Sequence, residues 1–211
     1  MRRPIPAAPR PRRNPFGSTR SSGPRWEEHP RGGKRQSGAG RPTMTALKNP
    51  VMTGLASLEE KLEEGDILGI LRRSPALFRK AAADASPKWL AGRRPAGNWS
   101  RKDVLAHMLD TETVMTFRIR KILCEEDPNL SFFDQEKWIA GLRPYREKDP
   151  RKLIARFASL RGKNIALLSS VSEEQMKRTG VHPEAGRLTL EGLAARMARH
   201  DINHLKQLLA G

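Results

Sequence analysis

Twenty residues near the end of the chain place apolar side chains at spacings of three and four, which is the period of one face of an α-helix. In residues 190–209 this stripe consists of Leu190, Leu193, Ala194, Met197, His200, His204 and Leu208. A helix with one apolar face must bury that face against other elements. The pattern therefore predicts a helix that packs in a larger helical assembly, with two histidines on its inward side.

Three further stretches of the chain are typical of helices, at about 56–84, 100–125 and 150–169. We find neither the alternating pattern of a half-buried strand nor an Asn-Gly turn that would indicate a hairpin. Four helices of about 20 residues joined by loops predict an all-α fold, a four-helix bundle. We read residues 171–188 as a turn-rich connection before the last helix.

Several residues predict where these helices begin or break. Ser100, with Asp103 three residues later, is expected to form a capping box at the start of the second helix. Thr189 is expected to cap the last helix. Pro75 lacks a backbone donor, so we expect it to kink or interrupt the first helical region. A short helix is expected at about Gln135–Ala140.

Residues 1–50 differ in composition from the rest of the chain. They contain 12 Lys or Arg, two Glu and nine of the 16 prolines. Such a segment cannot bury enough apolar surface to offset the entropy of ordering it. We predict a disordered basic arm at 1–50 and a folded domain at 51–211. The arm either associates with nucleic acid through its charge or is an extension without function, since Met44 and Met52 could also begin the chain.

The single cysteine and the hydropathy pattern restrict the environment. Cys124 has no second cysteine to pair with inside the chain, which fits a reducing cytoplasm. No stretch approaches the roughly 18 apolar residues of a membrane span. We therefore expect a cytoplasmic protein without membrane association.

Three histidines are the candidate functional residues. His200 and His204 are about one helical turn apart, so their rings lie on one face, and His107 lies at the edge of the second helix's apolar stripe. They are either packed core residues or ligands of one metal ion. Three imidazole ligands would leave one coordination position open, as in catalytic zinc sites. The Asp201 side chain points about 100° away from His200 around the helix axis. We expect this carboxylate to have an orienting or structural role rather than to act as a base.

The segments "NWSRKDVLAHMLDTE" and "VHPEAGRLTLEGLAARMARHDINHLKQLL" resemble the DinB-like family of metal-dependent four-helix-bundle enzymes. The shared features are a Trp-Ser helix start, a histidine seven residues after that serine, and a final HDxxH. The resemblance covers about residues 55–210. It implies that His107, His200 and His204 bind a divalent transition metal, which is zinc, nickel or iron. Among these three metals we favour zinc. The resemblance also implies a small-molecule substrate, with a low-molecular-weight thiol as a known cosubstrate in the family, and a homodimer.

Three functions follow from these observations. The first is a metal-dependent enzyme, either a thiol-linked transferase or a hydrolase. The second is a non-catalytic stress-response binding module, and the third is nucleic-acid association through the arm. Other residues receive weaker predictions: a turn-stabilising role for His182, a pocket or the core for Trp99, Trp138 and Tyr145, and exposed charges or anion contacts for Arg118 and Arg120.

Overall fold

The computed structural model describes residues 50–83, 85–92 and 99–209, apart from the Tyr145 side chain. The chain forms, in order, α1 (Pro50–Glu63), α2 (Ile67–Ala83), α3 (Pro87–Ala91), α4 (Arg101–Cys124), α5 (Gln135–Leu142), a 3-10 turn (Arg143–Tyr145), α6 (Pro150–Ser170), α7 (Glu173–Met176), β1 (Thr179–His182), β2 (Gly186–Thr189) and α8 (Leu190–Leu209).

Four long helices form the predicted bundle. Helix α2 packs against α6 and α8, and α4 packs against the same two helices, so the four surround one core. Helix α1 lies outside this ring, against α2 and α8. The core is filled by fully buried apolar side chains that include Ile70, Leu71, Phe78, Leu105, Ile119, Phe157, Leu193 and Leu205. The all-α four-helix bundle is therefore confirmed.

The first helical region was predicted to be kinked or interrupted at Pro75, and an interruption there is wrong because α2 continues through this residue. The chain breaks instead between α1 and α2, at residues 64–66. Gly65 adopts a positive φ of 78° there, a conformation that glycine reaches without the steric penalty of a side chain. The Asp66 carboxylate then accepts a hydrogen bond from Gly69 N at 2.8 Å in the first turn of α2.

Pro75 lies inside α2, and its place there has a structural explanation. A proline leaves the carbonyl four residues earlier without its helical donor. That carbonyl belongs to Leu71, and Arg161 Nη1 approaches it at 3.5 Å from α6. A tertiary contact thus takes the place of the missing helical hydrogen bond, which sequence periodicity alone could not reveal.

The connection before α8 is an antiparallel β-hairpin, which corrects the prediction of turns without strands. Thr179 pairs with Thr189 and His182 with Gly186, where φ is 69°. The hairpin also binds the loop after α4: Leu130 N donates to Val181 O and Val181 N donates to Pro128 O, both at 2.9 Å. Strands of four residues are too short to produce a clear alternating pattern.

The remaining fold predictions agree with the structure where it describes them. The capping box of Ser100 and Asp103 is present, and Thr189 Oγ1 accepts from Gly192 N at 3.0 Å. Helix α5 is the expected short helix, and Cys124 is exposed at the end of α4. Among the described residues, no helix is both long and apolar enough to cross a membrane. The predicted arm at 1–50 lies almost wholly outside them.

A buried ionic network joins α4, α6 and α8 at the centre of the bundle. Arg161 of α6 donates to both carboxylate oxygens of Asp201 at 2.5 and 3.1 Å, and to Glu112 at 2.7 Å. All three side chains are at most 2% exposed. Ser74 of α2 donates to Asp201 at 2.5 Å, and Asn164 donates to Glu112 at 2.7 Å. Every helix of the ring therefore contributes to one polar cluster.

Replacement of Arg161 should destabilise the bundle strongly. Arg161→Met leaves the carboxylates of Glu112 and Asp201 buried without a counter-charge, which typically costs about 3–5 kcal/mol. Urea unfolding should therefore show a free energy of unfolding reduced by that amount. Arg156→Met on the same helix is the matched control, since its side chain is 64% exposed and only loosely paired with Glu147. Equal effects of the two substitutions would contradict the structural role of the network.

Candidate metal centre

Helix α4 places His107 two turns after a firmly fixed helix start. The Ser100 hydroxyl accepts from Asp103 N, and the Asp103 carboxylate accepts from Ser100 N. Arg143 and Arg146 donate to the same carboxylate at 3.3 and 3.2 Å, which ties the segment after α5 to this helix. The first ligand candidate therefore projects from a helix whose N-terminus is held by both local and tertiary contacts.

Helix α8 supplies the other two histidines from successive turns. His200 and His204 have ring centroids 4.3 Å apart, as expected from a spacing of four residues. Asp201 lies between them in sequence but points into the ionic network, where it is fully buried. Asp201 thus fixes the rotation of α8 about its axis, which aims the two imidazoles toward α4.

The three histidines converge in one cluster. Each of His107, His200 and His204 offers one ligand atom, and these atoms all lie within 4.8 Å of one another. The Nε2 atoms of His107 and His200 are 2.9 Å apart, and the His107 and His204 ring centroids are 4.8 Å apart. The structure thus brings together all three histidines that were singled out in the sequence.

The electrostatic setting keeps these imidazoles neutral. Burial lowers the pKa of His107 well below its usual value, and His204 and Arg146 lower it further. Burial likewise lowers the pKa of His200 and of His204, although Gln207 and Asp201 partly offset the effect for His204. A neutral imidazole has a free lone pair, which is the form that binds a metal ion.

Neighbouring polar groups orient two of the rings. Gln207 Oε1 accepts a hydrogen bond from His204 Nδ1 at 2.6 Å, which leaves Nε2 of that ring as the atom with the lone pair. The Thr111 hydroxyl lies within 3.4 Å of both ring nitrogens of His107. Such contacts typically hold metal-binding histidines in one orientation.

Aromatic side chains enclose the cluster. The Trp99 ring lies 4.7 Å from the His107 ring and is nearly parallel to His204 at 6.4 Å. Phe133 stacks on His107 at 6.1 Å, and Trp138 packs edge-on against Phe133 at 4.8 Å. Trp99 Nε1 donates to Glu136 at 2.9 Å. These rings cover one side of the histidines, and Trp138 stays partly exposed.

The other predicted residues are now placed. His182 stabilises its turn as expected, because Nδ1 accepts from the backbone N–H groups of Glu184 and Ala185 at 3.2 Å. Arg120 is exposed. The expectation of an exposed Arg118 is wrong, since this residue is only 4% exposed and contacts His182. The Tyr145 side chain lies outside the described residues.

Some residues of the site were not identified from the sequence. Phe133 has no regular spacing relative to the histidines, because it lies in the irregular loop before α5. Arg161 received no prediction beyond its place in the helix predicted at about 150–169. Only the tertiary structure shows that Asp110 pairs with Arg146 at 3.2 Å and Glu112 with Arg161. Thr111, which lies between them in sequence, contacts His107 instead.

Comparison with protein families identifies the group to which this bundle belongs. The family model described as the DinB superfamily matches residues 70–208, which contain all three clustered histidines. The chain belongs to the DinB superfamily. The predicted membership of the DinB-like family is thereby confirmed.

Relatives within the DinB superfamily are described as candidate metal-dependent hydrolases. One from Bacillus licheniformis is 30% identical over 168 residues, which are 77% of this chain and 95% of that protein. YfiT from Bacillus subtilis is 28% identical over 143 residues, which are 66% of this chain and 80% of YfiT. The solved structure of YfiT, a four-helix bundle of unusual topology, matches with a TM-score of 0.61 over 69% of this chain and 86% of that one.

The donor set fits a divalent metal ion. Neutral imidazole is a borderline ligand that zinc, nickel, copper and iron accept. Two helices bring three such groups together, with their ligand atoms within 4.8 Å of one another. The relatives are named as metal-dependent, and the two observations together suggest a divalent ion. The imidazole set does not select one element among these metals.

His182 should make the stability of the protein depend on pH. Burial, then Arg118 and Arg196, lower its pKa to about 4 in the folded state, against about 6.5 when unfolded. As the pH falls, the unfolded chain therefore binds this proton before the folded chain does. The contribution of His182 to the free energy of unfolding is fully present above pH 6.5 and is lost as the pH drops toward 4.

The variant His182→Gln isolates this effect. Urea unfolding at pH 7.5 and pH 5.0 should show a smaller loss of stability for His182→Gln than for the wild type, because the variant has no protonatable ring at this position. The other histidines titrate in both proteins and cancel in the comparison. Identical losses in the two proteins would show that His182 titrates normally in the fold.

Proposed function

We propose that this protein is a metal-dependent hydrolase of a small-molecule substrate, in which His107, His200 and His204 bind one divalent ion. The observation that supports this most directly is the convergence of the three histidines within 4.8 Å. Zinc is the first choice, with nickel and iron next. Three protein ligands leave at least one coordination position for water or substrate, which is the arrangement of catalytic sites.

The protein side chains would have distinct roles at this centre. A divalent ion supplies Lewis-acid chemistry there, because it polarises a carbonyl or phosphoryl oxygen and lowers the pKa of water. Gln207 and Thr111 hold the ligand rings in position. Trp99 and Phe133 keep the centre dry on one side, and a lower local dielectric strengthens its electrostatic interactions.

The other functions considered from the sequence receive less support. No contact among the described residues favours thiol-linked transfer, a non-catalytic stress-response module or nucleic-acid binding over hydrolysis. The names of the relatives favour hydrolysis. The homodimer, the cytoplasmic location and the boundary between the arm at 1–50 and the domain at 51–211 remain predictions.

Hydrolysis should depend on both the metal and the histidines. We expect the protein to cleave members of a panel of chromogenic esters, amides and phosphoesters, to lose this activity with chelator, and to regain it with added zinc. His204→Ala should lower kcat/KM by at least about 100-fold, because loss even of a group that only supports a metal ligand typically costs about 10–100-fold. Asn203→Ala is the matched control, since Asn203 is exposed on the same helix.

The same assay separates hydrolysis from thiol transfer. Each substrate is tested with and without a low-molecular-weight thiol. Turnover without thiol supports the proposed hydrolase, whereas turnover only with thiol would contradict it in favour of a transferase. Activity of His204→Ala equal to that of Asn203→Ala would exclude the histidine cluster as the centre of the reaction.

A further inference from the structure

Arg118 is a buried cation whose hydrogen bonds and counter-charge are incomplete. The residue is 4% exposed. Its Nη1 lies 3.1 Å from His182 Nε2, and its Nη2 donates to Ser131 O at 2.7 Å. Its Nε has no hydrogen-bond partner. Among residues 50–83, 85–92 and 99–209, no carboxylate forms an ion pair with Arg118, and both of its partners are neutral.

A second cation, Arg196, lies close to the first. This half-buried residue of α8 makes no hydrogen bond or ion pair with another described residue, yet it is near enough to act electrostatically on both Arg118 and His182. Burial lowers the pKa of Arg118, Arg196 lowers it further, and only the exposed Glu184 partly offsets this. The pair therefore concentrates positive charge at one end of the α4–α8 interface.

A purely structural role explains only part of this arrangement. The contacts of Arg118 with Ser131 and His182 hold the hairpin and the loop after α4 against that helix. They leave Nε unpaired, and they do not account for a second cation beside a buried guanidinium. A buried charge without a partner is costly. An anion from outside the protein would supply the negative charge that no described carboxylate provides to these two arginines through an ion pair.

The two arginines lie on the faces of α4 and α8 that contain the histidine cluster. Arg196 precedes His200 by four residues, which is about 6 Å along α8. Arg118 follows His107 by eleven residues, which is about three turns or 16 Å along α4, with Thr111 and Met115 between them on the same face. Because the start of α4 lies beside the end of α8, both arginines are displaced from the histidines toward the same end of the interface, by about 6 Å for Arg196 and about 16 Å for Arg118.

We propose that Arg118 and Arg196 form an anion-binding subsite that holds a carboxylate or phosphate group of the substrate. Guanidinium groups suit this role because their N–H donors match the oxygens of both anions. The assignment of the anion to the substrate depends on the proposed hydrolase function. The anion site itself does not depend on it, since no metal ligand takes part.

Isothermal titration with inorganic phosphate, acetate and succinate, at constant ionic strength, tests the subsite. The wild type should bind at least one of these anions saturably. Arg196→Met should weaken that binding by about tenfold or more, the effect of losing a charge-assisted hydrogen bond. Arg199→Met is the matched control because Arg199 is exposed on the same helix, and its affinity should equal that of the wild type. Stronger binding of phosphate than of the carboxylates would assign the substrate group as phosphate, and the reverse order as carboxylate.

The variant His204→Ala separates this subsite from the metal centre. Anion binding that persists in His204→Ala and is lost in Arg196→Met supports the subsite, whether or not hydrolysis is found. Binding that is lost in His204→Ala and unchanged in Arg196→Met would place the anion at the metal and overturn the inference. Absence of saturable binding in the wild type would also overturn it, while leaving the proposed hydrolase untouched.

Discussion

The contact of Arg161 with Asp201 and Glu112 is the interaction on which the rest of this structure depends. Burial alone would lower the pKa of Arg161, but Asp201 and then Glu112 raise it, so the guanidinium stays charged in the core. Asp201 adjoins His200 on α8, and Glu112 follows His107 by five residues on α4. A single side chain of α6 therefore sets the relative position of the two helices that supply the histidines. It also approaches the Leu71 carbonyl left without a helical donor by Pro75.

This network also matches the charge of the proposed metal centre. One guanidinium faces two carboxylates, so the buried group has a formal charge of −1 beside three neutral imidazoles. A divalent cation at the histidines would be partly balanced by the net negative charge of this network, in which Asp201 acts electrostatically on His204 and Arg161 acts with the opposite sign on His200. At the other end of the α4–α8 interface, Arg118 and Arg196 provide the opposite sign. A substrate with an anionic end would thus be oriented along the interface.

Helical periodicity was sufficient to predict the bundle and the histidine cluster, because both follow from which residues share one face of a helix. Spacing alone placed His200 and His204 on the inward face of α8 and His107 at the edge of the inward face of α4, and the resemblance to a family pointed to the same three residues. Periodicity could not predict interactions between helices distant in sequence. It placed the break of the first helical region at Pro75 because it could not show the Arg161 contact to Leu71. It also missed the hairpin, whose short strands depend on the loop after α4, and the burial of Arg118 beneath that hairpin.

The central claim is that three histidines from two helices bind one metal ion. Its most direct test is elemental mass spectrometry of the wild type, His204→Ala and Asn203→Ala, each purified without a chelating affinity tag. We expect one equivalent of a transition metal in the wild type and in Asn203→Ala, and its loss in His204→Ala. Metal retained by His204→Ala, or absent from all three proteins, would contradict the claim and leave the histidines as core packing.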